Sequence, residues 1–120
     1  MSFSSKEGKI LFKEAMIDGY MENYFSLGEQ FITQSEPSYC GPASLIMVLN
    51  ALEIDPQKRW KGIWRWFNEE ILHCTSRGKM ELGMNLEEMT LLARCNGLHT
   101  QTFRAGCHDE MECTMRAKKI

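Results

Sequence analysis

The run Leu45-Ile46-Met47-Val48-Leu49-Asn50-Ala51-Leu52, which follows Cys40-Gly41-Pro42, limits the possible folds of this chain more than any other stretch. It has hardly any polar face, so the element it forms must be buried on most sides. A short apolar run can be a buried strand or a buried helix. The length of the run and the proline at its start favour a helix, because a first-turn N–H has no intrahelical acceptor to lose. The rest of the chain must then wrap that helix. Its 120 residues, 43% of them apolar and 10% aromatic, suffice for one small domain or part of a larger one and argue against disorder of the whole chain.

The segments around this run read as follows. Ser4 with Glu7 forms a capping-box pattern, so a helix is expected from there with Leu11 and Ala15 on one face. Gly19 and the aromatics Tyr20, Tyr24 and Phe25 suggest that it breaks before a looped segment. Gln34-Ser35-Glu36-Pro37-Ser38 is polar and carries a proline, so it reads as loop. Asp55-Pro56 marks a turn, and the stretch Arg59 to Cys74 is expected to loop around Gly62 and then run as a helix into Leu72. Asn85 and Glu88 predict a capped helix that Gly97 ends. Leu98 to Phe103 has the length and β-favouring residues of a strand. Residues 105–120 show neither a helical nor a strand period and read as a divergent tail to a unit spanning 1–104.

Charge and composition exclude several roles. Sixteen acidic against fourteen basic residues give a net charge of −2, which offers no pull toward nucleic acid. No apolar run approaches the ~20 residues needed to span a bilayer, so no membrane role is expected. The N-terminal MSFSSKEGK lacks the order of a secretory signal, which suits a cytoplasmic chain. With five cysteines, an odd number, and no such signal, reduced thiols are expected rather than a disulfide framework. The nine methionines read as adaptable core filling.

Cys40 has two readings. Free cysteine is often a small buried hydrophobe. A thiol at a helix N-terminus, however, faces unpaired backbone N–H groups and the positive end of the dipole, which favour thiolate and make sulfur a nucleophile. Gln34, six residues upstream, could aim its amide at the oxyanion of a carbonyl attacked by Cys40, with the Cys40 N–H as second donor.

The stretches TQSEPSYCGPASLIMVLNALEIDP, WKGIWRWFNEEIL and LLARCNG together resemble phytochelatin synthase, a papain-like cysteine transpeptidase family of the cytosol. The likeness runs from about Ser4 to Arg104. It implies an α/β (α+β) papain-like fold, represented here mainly by its helical N-terminal lobe. The activity it implies is transfer of γ-Glu-Cys from glutathione to another glutathione or a phytochelatin, with release of glycine. Cys40 falls on the family nucleophile and Gln34 on its oxyanion-hole glutamine. The implied partners are glutathione and its metal complexes, with Cd2+ or Zn2+ as activator or as part of a metal–glutathione thiolate substrate.

Cys74 and Cys95 stand where relatives also carry cysteine, so they are the candidate metal thiolates, with separate structural thiols as the alternative. Cys107, His108 and Cys113 add soft donors in the tail, but no C-x-x-C pair occurs. The blocks that hold the family's histidine and aspartate have no counterpart here, so none of His73, His99 and His108 is assigned as base. The alternative function is therefore a catalytically incomplete isoform that binds metal, glutathione or a partner. Trp64 to Phe67 reads as core aromatics rather than a stacking surface.

Overall fold

The computed structural model describes residues 1–104 and 116–119. The elements in order are α1 (Lys6–Ile17), α2 (Glu22–Glu29), α3 (Cys40–Ala51), α4 (Arg77–Glu81), α5 (Leu86–Cys95), β1 (Leu98–Gln101) and β2 (Arg116–Lys119). This is an α+β arrangement.

The apolar run is indeed a helix, and α3 sits at the centre. Ile46 and Leu49 are completely buried, and Leu45 is nearly so. They pack with Phe67, Ile71, Leu72, Leu92, Ala93 and Leu98 into one core. Burial is not uniform around α3, however. Ser44 faces solvent, while Met47, Val48 and Ala51 are half-buried. The helix therefore has a core side and a thinner side, which the apolar pattern alone does not reveal.

Around α3, the predicted punctuation fits in some places and fails in others. Asn85 Oδ1 accepts the Glu88 N–H at 2.9 Å and Glu88 Oε2 accepts the Asn85 N–H at 2.9 Å, closing the expected capping box of α5. Gly97, at φ 97°, turns the chain from α5 into β1. The cap of α1 is Ser5, not Ser4: Ser5 Oγ accepts the Gly8 N–H at 3.0 Å. The segment after Gly19 is not a loop but α2, joined to α1 by edge-to-face rings. Phe12 and Tyr24 are 5.2 Å apart, and Phe3 stands 5.7 Å from Phe12.

No helix runs into Leu72. Asn50 binds the Phe67 backbone at both ends, accepting its N–H and donating to its carbonyl, each at 3.1 Å. Asn68 Oδ1 then accepts from the N–H groups of Glu70 and Ile71. These side chains take the groups that a helix would have used. The tryptophans are not core either: a tight turn about Gly62, with Trp60 N–H on the Trp64 carbonyl at 2.8 Å, leaves Trp64 and Trp66 exposed, and Phe67 alone goes inward.

β2 pairs antiparallel with β1, Leu98 opposite Lys119 and Gln101 opposite Arg116. A strand thus lies within the segment where no period was legible. Four residues of Arg-Ala-Lys-Lys carry no alternation, so only the pairing defines it. The remainder of the tail reading, with Cys107, His108 and Cys113, lies outside the described residues.

Candidate active site

The loop from Gln34 to Tyr39 delivers the chain to α3. Tyr39 is its last residue and is buried, with its N–H on the Glu36 carbonyl at 3.0 Å. Burial raises the Tyr39 phenol above its usual pKa, and the carboxylates of Glu81, Glu36 and Glu69 add to that while Arg77 opposes it. Tyr39 thus stays neutral, buried immediately before the first residue of α3. Cys40, the first residue of α3, is exposed and free.

Among the described residues, neither the Cys40 nor the Gly41 N–H has a hydrogen-bond acceptor. Ala43 N–H, two residues on, already bonds the Tyr39 carbonyl at 2.9 Å. An exposed sulfur beside two open donors at a helix N-terminus can attack a carbonyl carbon and stabilise the oxygen that results. Gly41 also allows close packing. A Cβ there would lie 2.8 Å from Met89 Sδ on α5.

Gln34 is engaged differently. Its Nε2 donates to the Glu36 carbonyl at 3.0 Å and to the Pro37 carbonyl at 2.9 Å. Both amide protons are thereby used to hold the loop, so an oxyanion would have to compete with two carbonyls for them.

A further anchor escaped sequence reasoning. The Glu69 carboxylate accepts the Ser35 N–H at 3.2 Å and also the Ser35 hydroxyl, pinning the loop to the segment after Phe67. No local pattern signals a contact across 34 residues.

Cys74 and Cys95 are brought together, but as a disulfide, with Cα atoms 6.4 Å apart. That corrects the expectation of reduced thiols for this pair. Cysteine parity says nothing of two residues that α5 and a short connection bring side by side. In this form neither sulfur has a thiolate to give a metal. Among the described residues no group of three or more His, Cys, Asp and Glu could hold one. The donors described do not fit a resident metal ion.

The histidines stand apart from this arrangement. His73 Nε2 lies 3.2 Å from the Pro56 carbonyl, which fixes its proton there, and His99 is exposed on β1. Neither bonds to Cys40. Among the described residues, no helix is long and apolar enough to cross a membrane.

A family model described as Phytochelatin synthase matches residues 1–119. The chain is 49% identical over 106 residues to Glutathione gamma-glutamylcysteinyltransferase 1 of Arabidopsis thaliana, covering 87% of this chain and 22% of that protein. It is 48% identical over 104 residues to the Schizosaccharomyces pombe Glutathione gamma-glutamylcysteinyltransferase, covering 85% and 25% respectively. With Glutathione gamma-glutamylcysteinyltransferase 1 of Triticum aestivum it shares 50% over 108 residues, covering 88% and 21%. The chain therefore spans about a fifth to a quarter of the length of these relatives. No solved structure matches. A match over nearly every residue, with Cys40 set at the start of a buried helix, leaves one conclusion: this chain belongs to the phytochelatin synthase family.

Proposed function

We propose that this chain carries the nucleophilic part of a glutathione γ-glutamylcysteinyltransferase. Cys40 Sγ attacks the carbonyl of the Cys–Gly peptide in glutathione, glycine leaves, and γ-Glu-Cys is held as a thioester until a second glutathione or a phytochelatin accepts it. The free N–H groups of Cys40 and Gly41 receive the oxyanion, and Gln34 joins them once it lets go of its two carbonyls. The observation that carries this reading is the exposed Cys40 at the open N-terminus of α3, in a chain of this family. The wider reading is a papain-like lobe in the cytoplasm, acting on glutathione and on its Cd2+ or Zn2+ thiolate complexes as substrate.

A transferase carrying these residues should release glycine from glutathione, and Cys40→Ser should abolish both that release and the acyl adduct. A hydroxyl is a far poorer nucleophile than a thiolate at neutral pH. Cleavage also needs an acid at the leaving nitrogen, and neither His73 nor His99 is bonded to Cys40. Residues 1–120 alone should therefore form no (γ-Glu-Cys)n-Gly peptides from glutathione and cadmium by mass spectrometry. Near-normal turnover by the Cys40→Ser enzyme would remove the proposal. A peptide ladder from residues 1–120 that Cys40→Ala eliminates would show that the base lies within them.

A further inference from the structure

A cavity of about 490 Å³ opens on the molecule, lined by Glu53, Asp55, Gln57, His73, Cys95 and Asn96 among others. That volume is in the range that holds a small organic ligand. Three non-glycine residues have left-handed backbone among the described residues: Glu53 at φ 55°, Gln57 at φ 57° and Cys74 at φ 64°. The first two line the cavity, and the third is bonded to Cys95, which lines it too. Such strain persists only where surroundings enforce it, and it gathers at functional sites.

The two halves of the disulfide differ. Cys95 ends α5, where the carbonyl end of the helix disfavours a nearby thiolate. Cys74 lies in a turn, is exposed, and is not part of the cavity lining. Asn96 holds the neighbouring backbone in place, accepting the His73 N–H at 2.9 Å and donating to the His73 carbonyl at 3.1 Å. Asn96 thus ties the backbone beside Cys95 to the backbone beside Cys74, and the two halves differ in the left-handed backbone of Cys74 and the helix end at Cys95. The carboxylates at the rim are also unequal. Asp55 is occupied by the Gln57 N–H at 2.8 Å and by Arg65 at 2.7 Å. Glu53 has no hydrogen-bond or ion-pair partner among the described residues and is open to a cation.

We infer that this cavity is a thiol-exchange site for a small aminothiol, which enters with its ammonium group at Glu53 and becomes disulfide-linked to Cys95. The thiolate of the ligand attacks Cys95 Sγ, the Cys74–Cys95 bond breaks, and Cys74 leaves as thiolate and takes a proton from water. One disulfide replaces another, so no outside oxidant or reductant is consumed. Cys74 is the better leaving group because it is clear of the helix C-terminus. The site stands independently of Cys40 and of the transfer reaction.

The test uses the full chain carrying Cys40→Ala, purified without reductant, so that failure of the transfer reading cannot affect it. Free thiols are first blocked with a maleimide, cysteamine is added, and the reaction is quenched with acid. Newly released thiols are then labelled with an isotopic maleimide, and peptides are assigned by mass spectrometry. The expected product carries cysteamine on Cys95 and the second label on Cys74. Blocking of Cys74 and Cys95 in the first step, or cysteamine found on Cys74, would overturn the inference. The ammonium group also makes the cysteamine thiolate intrinsically the weaker nucleophile, so the ion pair is read within cysteamine: Glu53→Gln should slow it about fivefold, the order of one close ion pair in water. The same substitution, at an exposed position, should not slow neutral 2-mercaptoethanol. An unchanged cysteamine rate on Glu53→Gln in the Cys40→Ala chain would show that the carboxylate recognises nothing.

Discussion

The two N-terminal helices and the central helix α3 are built by opposite rules. α3 has 12 residues and buries Pro42, Ala43, Leu45, Ile46, Leu49 and Asn50. α1, of the same length, buries only Gly8, and α2 buries nothing. Apolar side chains on the N-terminal pair stay in water instead, with Ile17 84% and Phe25 52% exposed. What holds that pair is a file of edge-to-face rings, Phe3, Phe12, Tyr24 and Phe25, and the tight first turn of α1. A Cβ on Gly8 would come within 2.6 Å of the Ser2 and Phe3 carbonyl oxygens, so glycine is required there. Helix content alone therefore says little about where stability resides. Cooperative stability belongs to α3 and its neighbours, and the N-terminal pair should open first.

The largest test of that contrast is Leu49→Ala beside Ile17→Ala. Leu49 is fully buried, so its truncation should cost about 2–5 kcal/mol in denaturant unfolding. Ile17→Ala should fall within about 0.5 kcal/mol of the parent. Comparable losses for both would mean that the N-terminal helices share the core after all.

A smaller effect is expected at the loop that joins the two regions. Gln34→Ala and Glu69→Ala should each lower stability by about 1 kcal/mol, since exposed hydrogen bonds to backbone and to Ser35 are lost. If Gln34→Ala leaves stability unchanged while slowing glycine release in a complete transferase, its amide serves the oxyanion rather than the loop.

Least of all should be the effect at Asp55. The Gln57 N–H, and after it Arg65, hold its carboxyl below the usual aspartate range. A depressed folded-state pKa gives stability that is present above the unfolded value and lost as pH falls through the folded one. Asp55→Asn should therefore leave stability near neutral pH only slightly reduced and flatten its decline in the acid range below the ordinary aspartate pKa. An unchanged acid profile would show that the pair with Arg65 contributes nothing.

Elements that announce themselves locally were legible in the sequence. Pro42 and the apolar run specify α3, Asn85 with Glu88 specifies the start of α5, and Gly97 its end. Cys40 was legible as a candidate nucleophile for the same reason, since its place before the helix is a local fact. Features set by distant partners were not. The helix expected into Leu72 is prevented by Asn50, 17 residues away from Phe67. The Ser35–Glu69 anchor spans 34 residues and the Cys74–Cys95 bond 21. The apolar face of α2 reads as loop because nothing buries it, and β2 exists only through its pairing with β1.

The close association of α5 with β1 bears on the order in which the chain folds. Its ties are all short in sequence. The Asn85–Glu88 box closes over three residues, Arg94 reaches the Thr100 hydroxyl at 2.8 Å over six, and the Thr90 and Thr102 hydroxyls meet over twelve. Short closures sacrifice little chain entropy, so this unit can form before the longer loops around it close. It then presents Leu92, Ala93 and Leu98 as a ready surface on which α3 condenses. Stopped-flow measurements should find that Leu92→Ala slows refolding, whereas Ser35→Ala acts on the unfolding limb alone. A pure unfolding effect for Leu92→Ala would place the nucleus elsewhere. The late-closing loop is the one that leads into Cys40, so that sulfur reaches its final position only after the scaffold beneath it has set.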